Sequence, residues 1–311
     1  RARLGVRLVP KHGGVLVGFR ERRSSFLTDM RDCPVLDARL AALIDPLRGL
    51  IGGLTIATEV PQIEVTATDD TVLLVLRHLA PLLDADRAAL AAFAAAHGVR
   101  WFLQPAGPAS VHPLAPGDDG ALRYRLDAFE LELEFGPLDF TQVNFDINQR
   151  LVPLAVELLA PVAGERVADL FCGVGNFSLA LARRGARVLG LEGEAALVAR
   201  ARANAERMGL AAQCTFDTVN LYDDAPAALA RLGRHDAWLL DPPRSGAQAL
   251  CSALPTPGPA RIVYVSCNPA TLARDAGLIT AQGYRLAAAG VVDMFPHTAH
   301  VESIALFERS R

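Results

Sequence analysis

Arg166-Val-Ala-Asp169-Leu-Phe-Cys-Gly173-Val-Gly175-Asn176-Phe177 reads as an apolar strand that ends on a glycine turn and opens a helix. Glycines at such a turn let the backbone approach a ligand, and the first turn of the helix offers free N–H groups. The same grammar repeats outward from this stretch. Strands are expected at 166–170, 187–191, 214–217, 237–240 and 261–265, interleaved with helices at 176–184, 195–208 and 269–281 and preceded by a helix over 148–159. Strands alternating with helices imply a parallel sheet covered on both faces. Segments 284–292 and 301–307 then give two strands with no helix between them, so this α/β, Rossmann-like sheet closes on a terminal hairpin.

The first half follows another pattern. Residues 1–9 and 14–20 alternate like a hairpin around Lys11-His12-Gly13-Gly14. Val35 to Leu50 reads as one helix with Leu36, Leu40, Leu43, Ile44 and Leu47 on a face. A second hairpin is expected at 63–68 and 71–78 around Asp69-Asp70, then a helix over 84–97 that stops at His97-Gly98. A loop rich in Pro and Gly spans 105–120, and alternation returns over 122–135. The expected organisation is a smaller α+β domain, 1–135, without a catalytic motif, followed by the nucleotide-binding domain, 136–311.

The 311 residues are 51% hydrophobic and 21% charged, with no apolar run near the roughly 20 residues of a membrane span. The five cysteines are odd in number and irregularly spaced, which argues against a disulfide framework and for a reducing cytoplasm. A net charge of −3 does not suggest a nucleic-acid binder. Its distribution says more: Arg1, Arg3, Arg7, Lys11, Arg20, Arg22, Arg23 and Arg31 stand against only Glu21 and Asp29 in the first 31 residues. Such a strip can contact phosphates, or can simply be a solvated face. The chain opens on Arg, mid-pattern, so it is expected to be part of a longer protein.

Glu192 ends the strand after the glycine turn, where a carboxylate can accept both ribose hydroxyls of a nucleoside. The short Gly-x-Gly, without a third glycine, fits S-adenosylmethionine better than NAD. Leu240-Asp241-Pro-Pro-Arg244 places a second carboxylate at the same crevice edge. Asp-Pro-Pro also occurs in enzymes that methylate exocyclic amines of bases, which keeps that alternative open. Arg261-Ile-Val-Tyr-Val-Ser266-Cys267-Asn268-Pro269 ends the next strand on a cysteine. Carbon 5 of uracil is too poor a nucleophile to take a methyl group unaided. A thiolate added at carbon 6 makes it an enolate, whereas amine methylation has no use for the cysteine. The carbon-5 proton must then leave, which needs a base. Asp293-Met-Phe-Pro-His297-Thr-Ala-His300-Val-Glu302 supplies Glu302, set among Val301, Ile304 and Leu306, with His297 and His300 able to orient it or contact RNA.

A sheet closed by a terminal hairpin is the arrangement of class I methyltransferases. Phe140-Thr-Gln142-Val-Asn144, the glycine turn, Asp241-Pro-Pro-Arg, Ser266-Cys267-Asn268-Pro-Ala-Thr-Leu-Ala-Arg274-Asp275 and Phe295-Pro-His-Thr-Ala-His-Val-Glu302 together resemble the RNA (uracil-5-)-methyltransferases. The Ser266–Asp275 run and Leu74-Val-Leu-Arg77-His78 resemble the bacterial 23S ribosomal RNA type more than the transfer-RNA branch. The resemblance implies that Cys267 is the nucleophile and Glu302 the base. It implies that Gln142, Phe171, Asn176, Glu192, Asn220 and Asp241 line the S-adenosylmethionine pocket, and that Phe140 lies beside a flipped base. It also implies a 4Fe–4S cluster in a full-length parent, with Cys33, before Pro34, as fourth ligand. One cysteine cannot hold a cluster, so none is expected in these residues. The expected partner is ribosomal RNA, with no membrane association and no obligate protein partner. Alternatives are 5-methyluridine formation in transfer RNA or at another ribosomal site, amino-group methylation of a base, and a non-catalytic RNA-binding or ribosome-assembly factor.

Overall fold

The computed structural model describes residues 1–10, 14–21, 23–222 and 225–310, and shows two large sheets built on different plans and a small two-stranded one. The chain separates into two units, Arg1–Leu122 with Gly136–Leu138, and Arg123–Phe135 with Asp139–Arg311.

In the first unit the elements are β1 (Ala2–Val9), β2 (Gly14–Gly18), α1 (Ala38–Ala41), α2 (Ile44–Gly53), β3 (Gln62–Ala67), β4 (Val72–Arg77), α3 (Asp84–His97), β5 (Val99–Gln104) and β6 (His112–Pro113). The sheet order is β2-β1-β3-β4-β5-β6, antiparallel except for β4 with β5. Its apolar face packs Leu74 and Trp101 with Leu47, Ile51 and Leu90 of the helices. Helix α3 stops at Gly98, whose φ of 64° is the left-handed C-cap conformation that glycine adopts without cost. The first hairpin forms, but the described residues do not include 11–13 of its expected turn.

Two expectations are corrected here. The single helix over 35–50 is two helices, parted at Ala42-Leu43. Pro46 lies in the first turn of α2, where its missing N–H is harmless; one turn further into a helix it would leave the Ala42 carbonyl unpaired. Strand β5 pairs in parallel with β4 and was not anticipated.

The second unit contains β7 (Leu122–Leu126) and β8 (Leu131–Phe135) as a separate two-stranded sheet. Then follow α4 (Phe145–Leu159), β9 (Arg166–Leu170), α5 (Asn176–Arg183), β10 (Arg187–Glu192), α6 (Ala195–Arg207), β11 (Cys214–Thr218) and α7 (Ala225–Leu232). The chain ends with β12 (Ala237–Leu240), α8 (Gln248–Ser252), β13 (Arg261–Ser266), α9 (Pro269–Thr280), β14 (Tyr284–Val292) and β15 (Glu302–Arg309). The sheet order is β11-β10-β9-β12-β13-β15-β14, parallel but for β15, which runs antiparallel to both neighbours. This is the expected Rossmann-like α/β sheet with its closing hairpin; α7 and α8 are additional to it. The strand order turns back between β9 and β12, and ligands of such sheets bind beyond the strand ends at that point.

The expected boundary after residue 135 does not coincide with the units. The 123–135 hairpin belongs with the second: Tyr124 stacks on Phe145 at 5.2 Å, and Asn204 exchanges hydrogen bonds with both the N–H and the carbonyl of Glu134. Among the described residues no helix is long and apolar enough to cross a membrane.

Candidate active site

Beyond β9 the backbone reverses sharply. Phe171 has a φ of 66° despite its side chain, followed by Gly173 at 54° and Gly175 at 95°. The amides of Phe171 and Cys172 both donate to the carbonyl of Leu191, folding the turn over the end of β10. Glu192 sits at that end, so the turn and the carboxylate are built together. The Gly173 N–H donates to Glu192 Oε2 at 3.1 Å, and the amides of Gly193 and Glu194 donate to Oε1 at 2.6 and 3.1 Å. Three amides thus fix the carboxylate without exhausting its lone pairs.

Asn176 opens α5 in a closed network. Its Oδ1 accepts from the Tyr124 hydroxyl and from Asn148 Nδ2, each at 2.9 Å, while its Nδ2 donates to Asn148 Oδ1 at 3.1 Å. Tyr124 and Asn148, both buried, were not singled out in the sequence.

Two carboxyls lie on neighbouring strand ends. Asp169, fully buried in β9, accepts from Ser178 Oγ at 2.5 Å. Asp241, just after β12, accepts from Gln142 Nε2 at 3.0 Å. Burial pushes each up to about 7; the Asp169 charge adds to the rise at Asp241, and the Ser178 hydrogen bond opposes it at Asp169.

Cys267 follows β13 and Glu302 opens β15. Their neighbours Ser266 and Ser303 are cross-strand partners, so the two side chains belong to adjacent strand ends. Glu302 is 2% exposed. Of the neighbours expected to bury it, Ile304 is buried but Val301 is exposed. Burial, with the charge of Asp241, pushes Glu302 up to about 8. The half-buried Cys267 thiol is also pushed up, by burial first and then by Glu302 and Asp241, while Arg244 acts the other way. Arg244 Nη2 donates to His300 Nδ1 at 2.8 Å. A guanidinium cannot accept, so this contact fixes the imidazole with its proton on Nε2.

Most of these groups line one cleft of about 710 Å³; Asp169, Ser178 and Asn148 are not part of its lining. Gln142, Phe171, Asn176, Glu192, Asn220, Asp241, Cys267 and Glu302 line it, with Phe140 also there and 65% exposed. Tyr222, whose ring lies 5.3 Å from that of Phe171, joins them unannounced by the sequence. Cys33 is not in the cleft; it is a buried thiol of the first unit. The cleft's ionisable lining includes four carboxyl groups, Glu192, Glu194, Asp241 and Glu302, against the single guanidinium of Arg244. An acidic cleft with one amide-fixed carboxylate fits a nucleoside bearing a cationic sulfonium. No three His, Cys, Asp or Glu residues among those described gather to hold a metal.

Residues 127–213 and 232–310 match the tRNA (uracil-5-)-methyltransferase family. The chain is 55% identical to the 23S rRNA (uracil(1939)-C(5))-methyltransferase RlmD of Aromatoleum aromaticum, covering 100% of this chain and 72% of the relative. It is 56% identical to RlmD of an Azoarcus species, over 99% of this chain and 72% of the relative. Among solved structures, the tRNA (uracil-54, C5)-methyltransferase of Pyrococcus abyssi, in complex with S-adenosyl-L-homocysteine, aligns with a TM-score of 0.73 at 25% identity, over 99% of this chain and 75% of that one.

Proposed function

The chain belongs to the tRNA (uracil-5-)-methyltransferase family, and we propose that it transfers a methyl group from S-adenosylmethionine to carbon 5 of a uridine in 23S ribosomal RNA. The choice of ribosomal RNA rests on the RlmD relatives at 53 to 56% identity. The observation that carries the chemistry is the meeting of Cys267 and Glu302 in the cleft that also holds Glu192 and Asp241. We assign the two domains the same boundaries as the compact units, with the reaction in the second.

In this reading Glu192 accepts the ribose hydroxyls, while Phe171, Asn176, Asn220, Asp241 and Gln142 enclose the rest of the S-adenosylmethionine. That cofactor, when bound, supplies the methyl group. The exposed ring of Phe140 stands beside the target base and offsets part of the few kcal/mol that extruding it costs. Cys267, as thiolate, adds to carbon 6 and the displaced π electrons make carbon 5 nucleophilic. After carbon 5 is methylated, the Glu302 carboxylate removes its proton; the released electron pair re-forms the carbon 5–carbon 6 double bond and expels Sγ. Such an enzyme works where ribosomes are made, in the cytoplasm.

A 4Fe–4S cluster would need three thiolates besides Cys33 from outside these 311 residues. We propose Cys33 as the fourth ligand in a chain that supplies them; iron and sulfide analysis of that longer chain tests it.

The function is tested by incubating the chain with tritiated-methyl S-adenosylmethionine and either 23S ribosomal RNA or transfer RNA, followed by nucleoside analysis. Label is expected in 5-methyluridine from the ribosomal RNA. Label in transfer RNA alone would replace the substrate, and label in a methylated exocyclic amine would overturn the reaction.

A further inference from the structure

Helix α9 begins two residues after Cys267, and its cap and first two turns bond three backbone groups of the loop that follows Asp241: the carbonyls of Arg244 and Ser245 and the N–H of Ala247. Asn268 Nδ2 and Thr271 Oγ1 donate to the Arg244 carbonyl at 2.9 and 3.3 Å. Arg274 Nη2 donates to the Ser245 carbonyl at 2.8 Å. Asp275 Oδ2 accepts the Ala247 N–H at 2.7 Å and the Tyr264 hydroxyl at 2.6 Å, while its Oδ1 pairs with Arg274 at 2.7 Å. Asp275 is fully buried, so this is an enclosed charge with all its partners in place. The loop is shaped to fit: Gly246 has a φ of 78°, and a Cβ there would lie 2.5 Å from both Arg274 Nη2 and Asp275 Oδ2.

We propose that Arg274 and Asp275 are positioning residues, forming with Asn268 and Thr271 a latch that holds the Arg244 loop in register with the Cys267 turn. The latch acts on Arg244 rather than on Asp241. Asp241 is held independently, by its N–H to the Leu170 carbonyl and by Gln142, whereas the Arg244 backbone is fixed through its carbonyl by α9. The groups that face Cys267 are Glu302 from β15, Asp241 and Arg244 from the loop after β12, Tyr222 after β11, and His300 before β15. Arg244 is the one that favours the thiolate against Glu302 and Asp241. Releasing the loop therefore makes Cys267 harder to ionise while leaving the carboxylates that bind the cofactor where they are. The functional consequence rests on Cys267 being the nucleophile; the positioning itself does not.

The test is the pH profile of Cys267 alkylation by iodoacetamide in the whole chain, read at the Cys267 peptide by mass spectrometry, together with steady-state kinetics. Arg274→Gln removes the Ser245 and Asp275 contacts from a partly exposed side chain, and Asp275→Asn removes the central charge. Both should move the alkylation midpoint upward by about half a unit to one unit. Turnover should fall about tenfold to a hundredfold, the scale of a roughly 1 Å misplacement of a reacting group, with KM for S-adenosylmethionine little changed. If Asp275→Asn does not fold, Arg274→Gln decides. An unshifted midpoint in Arg274→Gln overturns the latch, whatever the kinetics do. A wild-type chain that methylates no RNA would overturn the proposed function and leave the alkylation result to judge the latch alone.

Discussion

Ser303 Oγ donates a 3.0 Å hydrogen bond to the carbonyl of Ser266, its partner across the antiparallel β13–β15 pair. One step further along the same register stand Cys267 and Glu302. The pairing of a thiol with a carboxyl is therefore set by backbone ladder geometry, and a one-residue slip of β15 would send Glu302 to the face opposite Cys267. Sequence separation is no obstacle, because β15 returns beside β13 only after α9 and β14 have been laid down.

Removing the thiol should abolish the reaction without touching the cofactor side of the cleft. Cys267→Ala is expected to lower turnover by at least about three orders of magnitude, the scale seen when a covalent nucleophile is deleted. Binding of S-adenosylhomocysteine, followed by calorimetry, should stay within about threefold, since Glu192, Asp241 and Gln142 are anchored without Cys267.

Replacing the base should stop the reaction one step later. Glu302→Gln keeps the volume of a buried side chain and removes its ability to take a proton. Turnover should fall by about 10² to 10⁴, and gel analysis should show a methylated RNA–protein adduct that accumulates instead of resolving. In the wild type, activity should rise with pH through the midpoint of Glu302, near 8, because the carboxyl is a base only once it has ionised. The same limb should be missing in Glu302→Gln.

The raised carboxyls also tie stability to pH. Glu302, raised to about 8 from an ordinary 4.5, and Asp169, raised to about 7 from 3.8, bind protons in the folded chain that the unfolded chain has already lost. Stability contributed by these groups therefore falls as pH rises from about 5 to about 8. The difference in Tm between Glu302→Gln and wild type should accordingly grow in favour of the variant across that range. A constant difference would show that Glu302 ionises in the folded chain as it does in the unfolded one.

The Tyr124–Asn176–Asn148 network predicts an effect on cofactor binding from residues away from the glycine turn. Tyr124→Phe removes one of two hydrogen bonds to Asn176 Oδ1, at a cost of about 1 kcal/mol. The dissociation constant for S-adenosylhomocysteine should rise by about fivefold, with turnover at saturation nearly unchanged.

Much of this architecture was legible because it is local. The apolar runs of β9 to β13, the glycine turn, and a carboxylate or cysteine at a strand's end each announce themselves within a dozen residues. What escaped depends on partners distant in the chain. Tyr124 reaches Asn176 from a hairpin assigned to the other domain, and Asp275 matters only because Gly246 bends the Arg244 loop onto it. The left-handed Phe171 had no signal at all, since its neighbours Gly173 and Gly175 already explained a turn. The helix expected over 35–50 failed for the opposite reason: its apolar periodicity runs through Pro46, and periodicity alone does not register a missing N–H.

The central claim, a covalent bond from Cys267 to carbon 6 of a ribosomal uracil, is tested most directly with 5-fluorouridine-substituted 23S ribosomal RNA and S-adenosylmethionine. Fluorine at carbon 5 cannot be removed by Glu302, so the reaction should halt at a stable protein–RNA adduct whose peptide map places the nucleotide on Cys267. An unmodified Cys267 under conditions in which the same chain methylates normal RNA would contradict the account.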